Sequence, residues 1–158
     1  MVMIDATFYQ NLPKKRIAAG VLFLNSDGQI LLVKPTYKET WEVPGGITEA
    51  NESPQACAER EVKEELGLDI SISKLLCLDY VADLPEKGDS LQMIFDGGTL
   101  SDEQISAIKL QTEELSEYRF FSPDNINVVF KDKLRFRIQK ALEAKREDTA
   151  VYIENPYK

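Results

Sequence analysis

Three glutamates, Glu61, Glu64 and Glu65, have the residue type and spacing that could do chemistry. At positions i, i+3 and i+4 of a helix they would share one face. Like charges placed so closely repel one another by roughly 0.2–0.5 kcal/mol per pair, so a stable helix would avoid them unless cations bind there. Mg²⁺ prefers carboxylate and carbonyl oxygens and keeps several of its waters. The spacing therefore predicts a metal site on a helix.

The neighbouring residues predict the helix that carries these carboxylates, including both of its ends. Ser53 is a good N-cap, and Pro54 suits the first helical position, where its missing N–H costs nothing. We expect the helix to run from about Pro54 to Leu66 and to end at Gly67 in the left-handed conformation. Beside the acidic stripe lies an apolar stripe that would anchor the helix: Ala58, Val62 and Leu66.

A glycine pair, Gly45 and Gly46, precedes this helix and predicts a close approach of the backbone to it. The Gly45 carbonyl could then complete the ligand shell of a metal. Metal ions that bridge phosphate oxygens neutralise charge and activate water, which is what cleavage of a diphosphate requires. A glutamate beside metal-bound water could take its proton. Such a site has the groups that cleavage of a diphosphate would need.

Composition bounds the class of protein. The 158 residues suit a single domain, which we predict to span 1–158 with a core of about 16–146. The formal net charge of −8 argues against binding to a nucleic-acid polymer, and the absence of histidine excludes a His-based triad or general base. No secretory signal or membrane-spanning run is visible, so a cytoplasmic location with reduced thiols is expected.

Periodicity along the chain predicts an α+β fold in which helices pack on a mixed sheet. Residues 1–15 suggest a loop or short edge element, and the 131–146 stretch a second amphipathic helix whose basic side chains we expect to face solvent. An Asn-Ser-Asp-Gly turn at 25–28 would join the first two strands as a hairpin. The predicted strands are 16–24, 29–34, 68–81 (one strand or two), 91–95, 118–121 and a short tail strand at 150–153.

The spacing around the acidic helix is specific enough to suggest a family. Gly46 is followed after five residues by Glu52, and after seven more by Arg60-Glu61-Val62-Lys63-Glu64-Glu65-Leu66-Gly67-Leu68. This resembles, without departure, the signature box of the Nudix hydrolases. The resemblance implies an α/β/α sandwich, with the box helix and a C-terminal helix packed on a mixed sheet. It also implies Mg²⁺-dependent hydrolysis, with Mn²⁺ able to substitute, of a diphosphate bond in a nucleoside diphosphate linked to another group.

The resemblance also implies a role for each matching residue. Glu61, Glu64 and Glu65 would be metal ligands, together with the Gly45 carbonyl, and Glu61 would also lie close to the attacking water. Arg60 would orient the carboxylates, so the expected catalytic set includes Arg60, Glu61 and Glu64. Glu52 would bind metal through water or support the loop.

Residues outside the box are expected to supply the general base and the specificity. Several families of this kind take the base from the loop before the last sheet strand, and there we favour Glu114 over Glu117 and Glu113. Trp41 is either a core residue or a platform on which a base stacks. Asp96, in Asp96-Gly97-Gly98, would belong to a substrate loop or to a plain turn, with the turn favoured. Glu117 is a further candidate for substrate contact.

The sequence leaves the substrate open. By elimination a nucleoside triphosphate leads, ordinary or oxidised, cleaved to a nucleoside monophosphate and pyrophosphate. ADP-ribose or a nucleotide sugar is the alternative, and a non-catalytic Nudix-fold module that binds nucleotides is the alternative of another class. We expect a small-molecule nucleotide partner, no membrane, and a possible homodimer. Cys57 and Cys77 match no motif of the cysteine-dependent isopentenyl diphosphate isomerases that share the fold, so buried, inert thiols are expected.

Overall fold

The structure, a computed structural model, describes residues 5–82 and 85–157. Within those ranges the chain forms seven strands, five α-helices and one 3₁₀ turn at Pro123–Asn125. The strands are β1 (Arg16–Leu24), β2 (Ile30–Pro35), β3 (Gly45–Ile47), β4 (Leu75–Val81), β5 (Ser90–Thr99), β6 (Leu115–Phe121) and β7 (Val151–Glu154). The helices are α1 (Ala6–Gln10), α2 (Pro54–Leu66), α3 (Asp102–Ser106), α4 (Ile126–Val129) and α5 (Asp132–Arg146).

The strands form one mixed sheet in the order β6-β2-β1-β5-β4-β7, with β3 also paired to β1. Strands β1 and β5 are parallel in the middle of the sheet, and β7 adds to β4 in parallel. Along one edge, β1 pairs with β2 at Leu24 and with β3 at Ala18–Gly20. This divergence brings the Gly45-Gly46 pair alongside the first half of β1.

The sheet is the middle layer of an α/β/α sandwich, which confirms the predicted α+β class. Because side chains alternate along a strand, β1 contributes to two separate cores. Its Val21 and Phe23 pack with the apolar stripe of α2, whereas Leu22 packs with Ile138 and Ala141 of α5 on the other face. Helix α2 therefore lies on one face of the sheet and α5 on the other.

The prediction that Asp96-Gly97-Gly98 forms a turn is wrong, because β5 continues through it to Thr99. A bulge between Leu22 and Phe23 lets this segment keep its pairing with β1. Gly97 is required there because a Cβ would lie 2.3 Å from the Phe23 ring. The glycines that suggested a turn therefore serve close packing inside a strand.

Two other strands differ from prediction by more than one residue. Of the predicted strand 68–81, only Leu75–Val81 is a strand, and its pairing with β5 begins with Leu75 opposite Phe95. Residues 68–74 are irregular, although Leu68 and Ile72 are buried in the core of the α2 face. At the other end of the sheet, β6 begins at Leu115, three residues earlier than predicted.

The remaining elements largely follow the sequence. Residues 6–10 form one helical turn capped by Asp5, in place of the predicted loop or edge element, and residues 1–4 of that prediction lie outside the described residues. The β1–β2 hairpin is confirmed, with Gly28 at φ +73° in its turn. Helix α5 begins one residue after the predicted start, and the tail strand is confirmed as β7.

Candidate active site

The structure confirms the predicted ends of helix α2. The Ser53 hydroxyl accepts a hydrogen bond from the Ala56 N–H at 3.1 Å, and Pro54 occupies the first turn. At the other end Gly67 has φ +69° and its N–H donates to the Lys63 carbonyl at 3.0 Å. The helix is anchored by its buried apolar side: Cys57, Ala58, Val62 and Leu66. Its opposite side is therefore held in a defined position over the glycine pair.

Arg60 is the centre of the ionic network on this helix. Its Nη1 donates to Glu61 Oε1 at 2.8 Å and to Glu64 Oε2 at 3.2 Å. Its Nε and Nη2 donate to the two carboxylate oxygens of Glu52, at 2.7 and 3.1 Å. These charge-assisted contacts raise the pKa of Arg60 further above its usual range. The guanidinium thus ties the loop residue Glu52 to two helix carboxylates.

Glu52 is placed as a support for the loop. Besides both contacts with Arg60, Glu52 Oε2 accepts the N–H of Glu49 at 2.9 Å. Arg60, and then this backbone donor, lower the pKa of the Glu52 carboxyl to about 2. Both oxygens already have protein partners, so the contacts favour the loop-supporting alternative over the metal-binding one.

The glycine pair lets the loop approach Glu61 and Glu65 closely. The Gly45 N–H donates to Glu65 Oε2 at 3.1 Å. A Cβ on Gly46 would lie only 2.2 Å from Glu61 Oε1, so the Glu61 carboxylate occupies the space that any other residue's side chain would take. A Cβ on Gly45 would lie 2.3 Å from the Ala19 carbonyl oxygen, in the backbone of β1. Both glycines are therefore required by contacts at the site.

Glu65 and Glu61 form a strongly acidic environment. Glu65 is only 8% exposed, and this burial raises its pKa to about 8. Burial likewise raises the pKa of Glu61, against the opposing effect of Arg60. The charge of Glu114 makes the smallest of the contributions to each upward shift, so this predicted base lies within electrostatic range of the acid cluster. Glu42, which the sequence analysis missed, also raises the pKa of Glu65 and lies nearby.

The donor set of this cluster fits a hard divalent cation. Glu61, Glu64 and Glu65 offer only oxygen donors, and their crowded charges are what a bound cation would relieve. Within the described ranges, no three acidic, cysteine or histidine side chains converge tightly enough to hold an ion as they stand. Arg60 instead bonds Glu61 and Glu64 together. Metal binding would therefore have to shift these contacts of Arg60.

A cavity of about 880 Å³ opens beside the glycine pair on the α5 face of the sheet. Its floor exists because β1 has only small residues, Ala18 and Gly20, at that point. The first turn of α5 and the Trp41–Val43 segment form walls, and Ser90 and Gln92 of β5 line the floor. The acidic residues of the lining are Glu42 and Asp132. They are outnumbered by its cationic residues, which are Arg16, Lys38, Lys131, Lys133 and Arg137. An otherwise acidic protein therefore has a cavity suited to an anionic ligand.

The predicted substrate residues divide between this cavity and other places. Trp41 lines the cavity and packs edge-on against Phe121, with ring centroids 4.9 Å apart, so it is both a core residue and a possible platform. Glu117 forms an ion pair with Arg119, which lies over the Trp41 ring, and does not line the cavity.

Asp96 is not brought to the site. Its carboxylate accepts two hydrogen bonds from Lys145 near the end of α5, both at 2.9 Å. In β1, Gly20 lies opposite Gly45, whereas Leu22, two residues further along, lies opposite Asp96. Asp96 is therefore displaced along the sheet from the glycine pair and does not line the cavity. The ion pair with Lys145 therefore indicates a structural role in place of the substrate contact that we predicted.

Sequence reasoning missed a buried ionic group behind the cavity. Asp79 is fully buried in β4 and accepts a hydrogen bond from Arg137 Nε at 2.7 Å. The prediction that the basic residues of α5 face solvent is wrong for Arg137, which is 9% exposed. One signal was present: Asp79 is the single charge in the apolar run Leu75–Val81, and a buried carboxylate requires a partner.

Both cysteines are buried. Cys57 lies beneath the site, with its Sγ 3.6 Å from the Gly46 carbonyl oxygen. Burial raises the pKa of Cys57 to about 11 and that of Cys77 to about 12. Thiolates are the reactive form, so these environments support the expectation of inert thiols.

The chain has a mixed sheet between two helices and an arginine-braced acidic helix against a glycine loop, an arrangement that fits a hydrolase of phosphoanhydrides. The chain belongs to the NUDIX domain family, which matches residues 14–144, and it is a Nudix hydrolase. Members of this family generally use divalent metals and act on small nucleotide substrates.

Individual relatives agree with this assignment. The chain is 33% identical over 134 residues to an RNA pyrophosphohydrolase of Hydrogenovibrio crunogenus, and the aligned residues cover 76% of each protein. It is 37% identical over 78 residues to an 8-oxo-dGTP diphosphatase of Proteus vulgaris, covering 47% of this chain and 68% of that protein. Among solved structures, the MutT protein of Methanosarcina mazei Go1 superimposes with a TM-score of 0.67 at 25% identity, over 87% of this chain and 99% of that one.

No helix in the described part of the chain combines the length and apolar character needed to cross a membrane.

Proposed function

We propose that this Nudix hydrolase cleaves nucleoside triphosphates, ordinary or oxidised, to a nucleoside monophosphate and pyrophosphate, with Mg²⁺ as the preferred ion and Mn²⁺ as a substitute. One observation carries the proposal. The Glu61–Glu65 cluster lies at the glycine pair, and that pair also lines a cavity with an aromatic wall and a cationic lining. A nucleotide could then place its phosphates at the glutamates and its nucleoside in the cavity.

The chain's own residues would divide the work of this reaction. Glu61, Glu64 and Glu65, with the Gly45 carbonyl, would hold the divalent ions, and Arg60 would keep Glu61 and Glu64 in position through its contacts at 2.8 and 3.2 Å. Bound ions supply charge neutralisation at the phosphates and activation of water. Glu52 contributes by fixing Arg60 to the loop.

Glu114 is the residue that we propose as general base. It is exposed in the turn before β6, and its charge acts on both Glu61 and Glu65. The Thr36 N–H donates to the Glu114 carbonyl at 2.8 Å, which fixes the backbone of this turn against the end of β2. A carboxylate on this turn, within electrostatic range of the proposed metal ligands, is suited to accept a proton from water.

The triphosphate is preferred for two reasons. The relatives described above are named for triphosphate-like substrates, an RNA pyrophosphohydrolase and an 8-oxo-dGTP diphosphatase. The cavity of about 880 Å³ is large enough for a nucleoside, and its cationic side chains suit the ligand's charge. The similarity to the RNA pyrophosphohydrolase makes a 5′-triphosphorylated RNA end the second candidate, although the net charge of −8 opposes extended contact with RNA.

An activity panel tests the proposal. The purified protein is incubated with Mg²⁺ and the common NTPs and dNTPs, 8-oxo-dGTP, ADP-ribose, nucleotide sugars and a short 5′-triphosphorylated RNA. Chromatography then identifies the nucleotide product, and separate assays distinguish pyrophosphate from phosphate. We expect pyrophosphate release from mononucleotides, at a rate that Glu61→Gln lowers by orders of magnitude.

Two outcomes would overturn the proposal. Hydrolysis confined to ADP-ribose or nucleotide sugars would show that the substrate class is wrong. Tight nucleotide binding without turnover of any substrate would identify a binding module. The cytoplasmic location and the homodimer remain predictions, the latter checked by light scattering after size-exclusion chromatography.

A further inference from the structure

The Arg137 side chain is held by a buried network at the back of the cavity. Its Nε donates to Asp79 Oδ2 at 2.7 Å, and the same oxygen accepts a hydrogen bond from Asn155 Nδ2 at 2.8 Å. Asn155 Nδ2 also donates to the Lys133 carbonyl at 3.0 Å, in the first turn of α5. A buried carboxylate with two such partners is a rigid support, so the orientation of the guanidinium is fixed.

The rest of the guanidinium is available to a ligand. Within the described residues, Arg137 donates only through Nε, and its side chain is 11% exposed. Arg137 lines the cavity, so its terminal nitrogens are donors beside the space that a ligand would enter. A ligand that supplies acceptor atoms there would gain charge-assisted hydrogen bonds from the guanidinium.

Part of the support for this arginine comes from a segment outside the family match, which ends at residue 144. Strand β7 pairs with β4 in parallel and leads directly to Asn155, whose N–H donates to the Tyr80 carbonyl at 2.9 Å. Two residues further, Tyr157 lines the cavity and packs edge-on against Phe136, with ring centroids 6.0 Å apart. The tail thus adds both the clamp on Asp79 and an aromatic wall.

Charge and distance indicate what part of a ligand reaches Arg137. Because Asp79 already balances the guanidinium, the pair suits neutral acceptor atoms better than a second full anion. Ile47, which follows the glycine pair, pairs with Ala18 of β1, Ala18 pairs with Gln92 of β5, and Gln92 pairs with Asp79 of β4. Three strand spacings, about 14 Å in all, therefore separate Ile47 from Asp79. With its phosphates at the glutamates, a nucleotide would bring its base, not another phosphate, to this wall.

We propose that Arg137 determines base specificity by donating two hydrogen bonds to the adjacent acceptors O6 and N7 of a guanine held in this cavity. An arginine fork matches that acceptor pair, whereas adenine presents a donor in place of O6. The 8-oxo form of guanine carries a hydrogen on N7, so the fork favours ordinary over oxidised guanine. This inference rests on the proposed function and narrows its substrate to guanine nucleoside triphosphates.

Substrate analogues test the inference without changing the protein. ITP keeps O6 and N7, 7-deaza-GTP lacks only the N7 acceptor, and ATP lacks O6. We expect kcat/KM for GTP and ITP to agree within a few-fold, 7-deaza-GTP to be about tenfold lower, and ATP to be lower by about 5- to 150-fold. Equal values for GTP, 7-deaza-GTP and ATP would overturn the assignment.

Variants then locate the discrimination at Arg137. Arg137→Lys keeps a positive charge against Asp79 but loses the planar fork, so the tenfold difference between GTP and 7-deaza-GTP should disappear. Arg146→Lys, on the same helix and outside this cavity, is the matched control and should retain it. If Arg137→Lys does not fold, the double variant Asp79→Asn/Arg137→Gln removes both charges together and should likewise abolish the difference.

A binding measurement separates this inference from the proposed hydrolysis. Calorimetry with GMP, 7-deaza-GMP and AMP reports base recognition whether or not any triphosphate is hydrolysed. Tighter binding of GMP in the wild-type protein, lost in the Arg137 variants, would support the inference even if the substrate proved to be another guanine nucleotide. Equal affinities for the three monophosphates, or a preference that the Arg137 variants keep, would overturn it, while pyrophosphate release could still occur.

Discussion

Gly46→Ala should separate catalysis from folding at this site. Gly46 does not lie in the left-handed region, so its backbone tolerates an alanine. The added Cβ would lie 2.2 Å from Glu61 Oε1 and 2.4 Å from Glu61 Cδ. The carboxylate is the end of a flexible side chain, so it should yield while the loop and helix stay in place.

The size of the effect follows from this contact. To reach an ordinary separation of 3.4 Å, Glu61 Oε1 must retreat by about 1 Å. That displacement also breaks the geometry of its 2.8 Å contact with Arg60. Misplacing a catalytic group by about 1 Å costs on the order of 10²-fold in rate. We therefore expect kcat to fall about 100-fold, with the free energy of unfolding changed by no more than about 1 kcal/mol.

Two glycine controls make the measurement decisive. Gly88 has φ +67°, and an added Cβ would have no neighbour within 4 Å. Gly88→Ala should therefore cost about 1–2 kcal/mol of backbone strain and leave kcat unchanged. Gly45→Ala puts its Cβ 2.3 Å from the Ala19 carbonyl oxygen and should destabilise the fold itself. The assays are pyrophosphate release across a Mg²⁺ titration and urea unfolding of each variant. A Gly46→Ala protein with wild-type kcat and Mg²⁺ dependence would refute the placement of Glu61 in catalysis.

Three further outcomes are expected. Glu61→Gln keeps the side chain's shape but removes a charge from the metal-binding group, so kcat at saturating Mg²⁺ should fall by orders of magnitude with an unchanged melting temperature; near-normal kcat would assign Glu61 another role. Glu114→Gln should lower kcat at least 10²-fold with little change in KM if Glu114 is the base, and a trivial loss would direct attention to Glu42. Cys57 and Cys77, with pKa values raised to about 11 and 12, are almost entirely protonated at pH 8; a thiol reagent should therefore label neither in the native protein and both in denaturant, and rapid native labelling would contradict their burial.

Local signals were sufficient to predict the acidic helix. The Ser53 cap, Pro54, the left-handed Gly67 and the apolar stripe all act within one or two turns, and the structure has each of them as predicted. The link from Arg60 to Glu64 is also local, because residues four positions apart on a helix are neighbours, and Glu61 is the next residue in the chain. Interactions of this range can be read from a sequence.

Long-range packing explains what sequence patterns missed. Asp96-Gly97-Gly98 has the composition of a turn, but the Phe23 ring, more than 70 positions away, requires Gly97 inside a strand. Arg137 has the helical position of a solvated residue, yet the tail strand and Asp79 bury it. Glu42 was missed for the same reason, because only the assembled sheet brings it near Glu65.

The parallel pairing of β1 with β5 has a consequence for how the molecule folds. Arg16 lies opposite Ser90, so closing this pair requires a loop of more than 70 residues to form first. Contacts of such separation slow folding, because the entropy of loop closure is lost before they stabilise the chain. Helix α2, whose capping signals are local, can form early, whereas the cavity floor shared by Ala18 and Gln92 cannot exist until β5 docks. Refolding should therefore regain helical circular dichroism before it regains nucleotide binding, on a timescale of milliseconds to seconds.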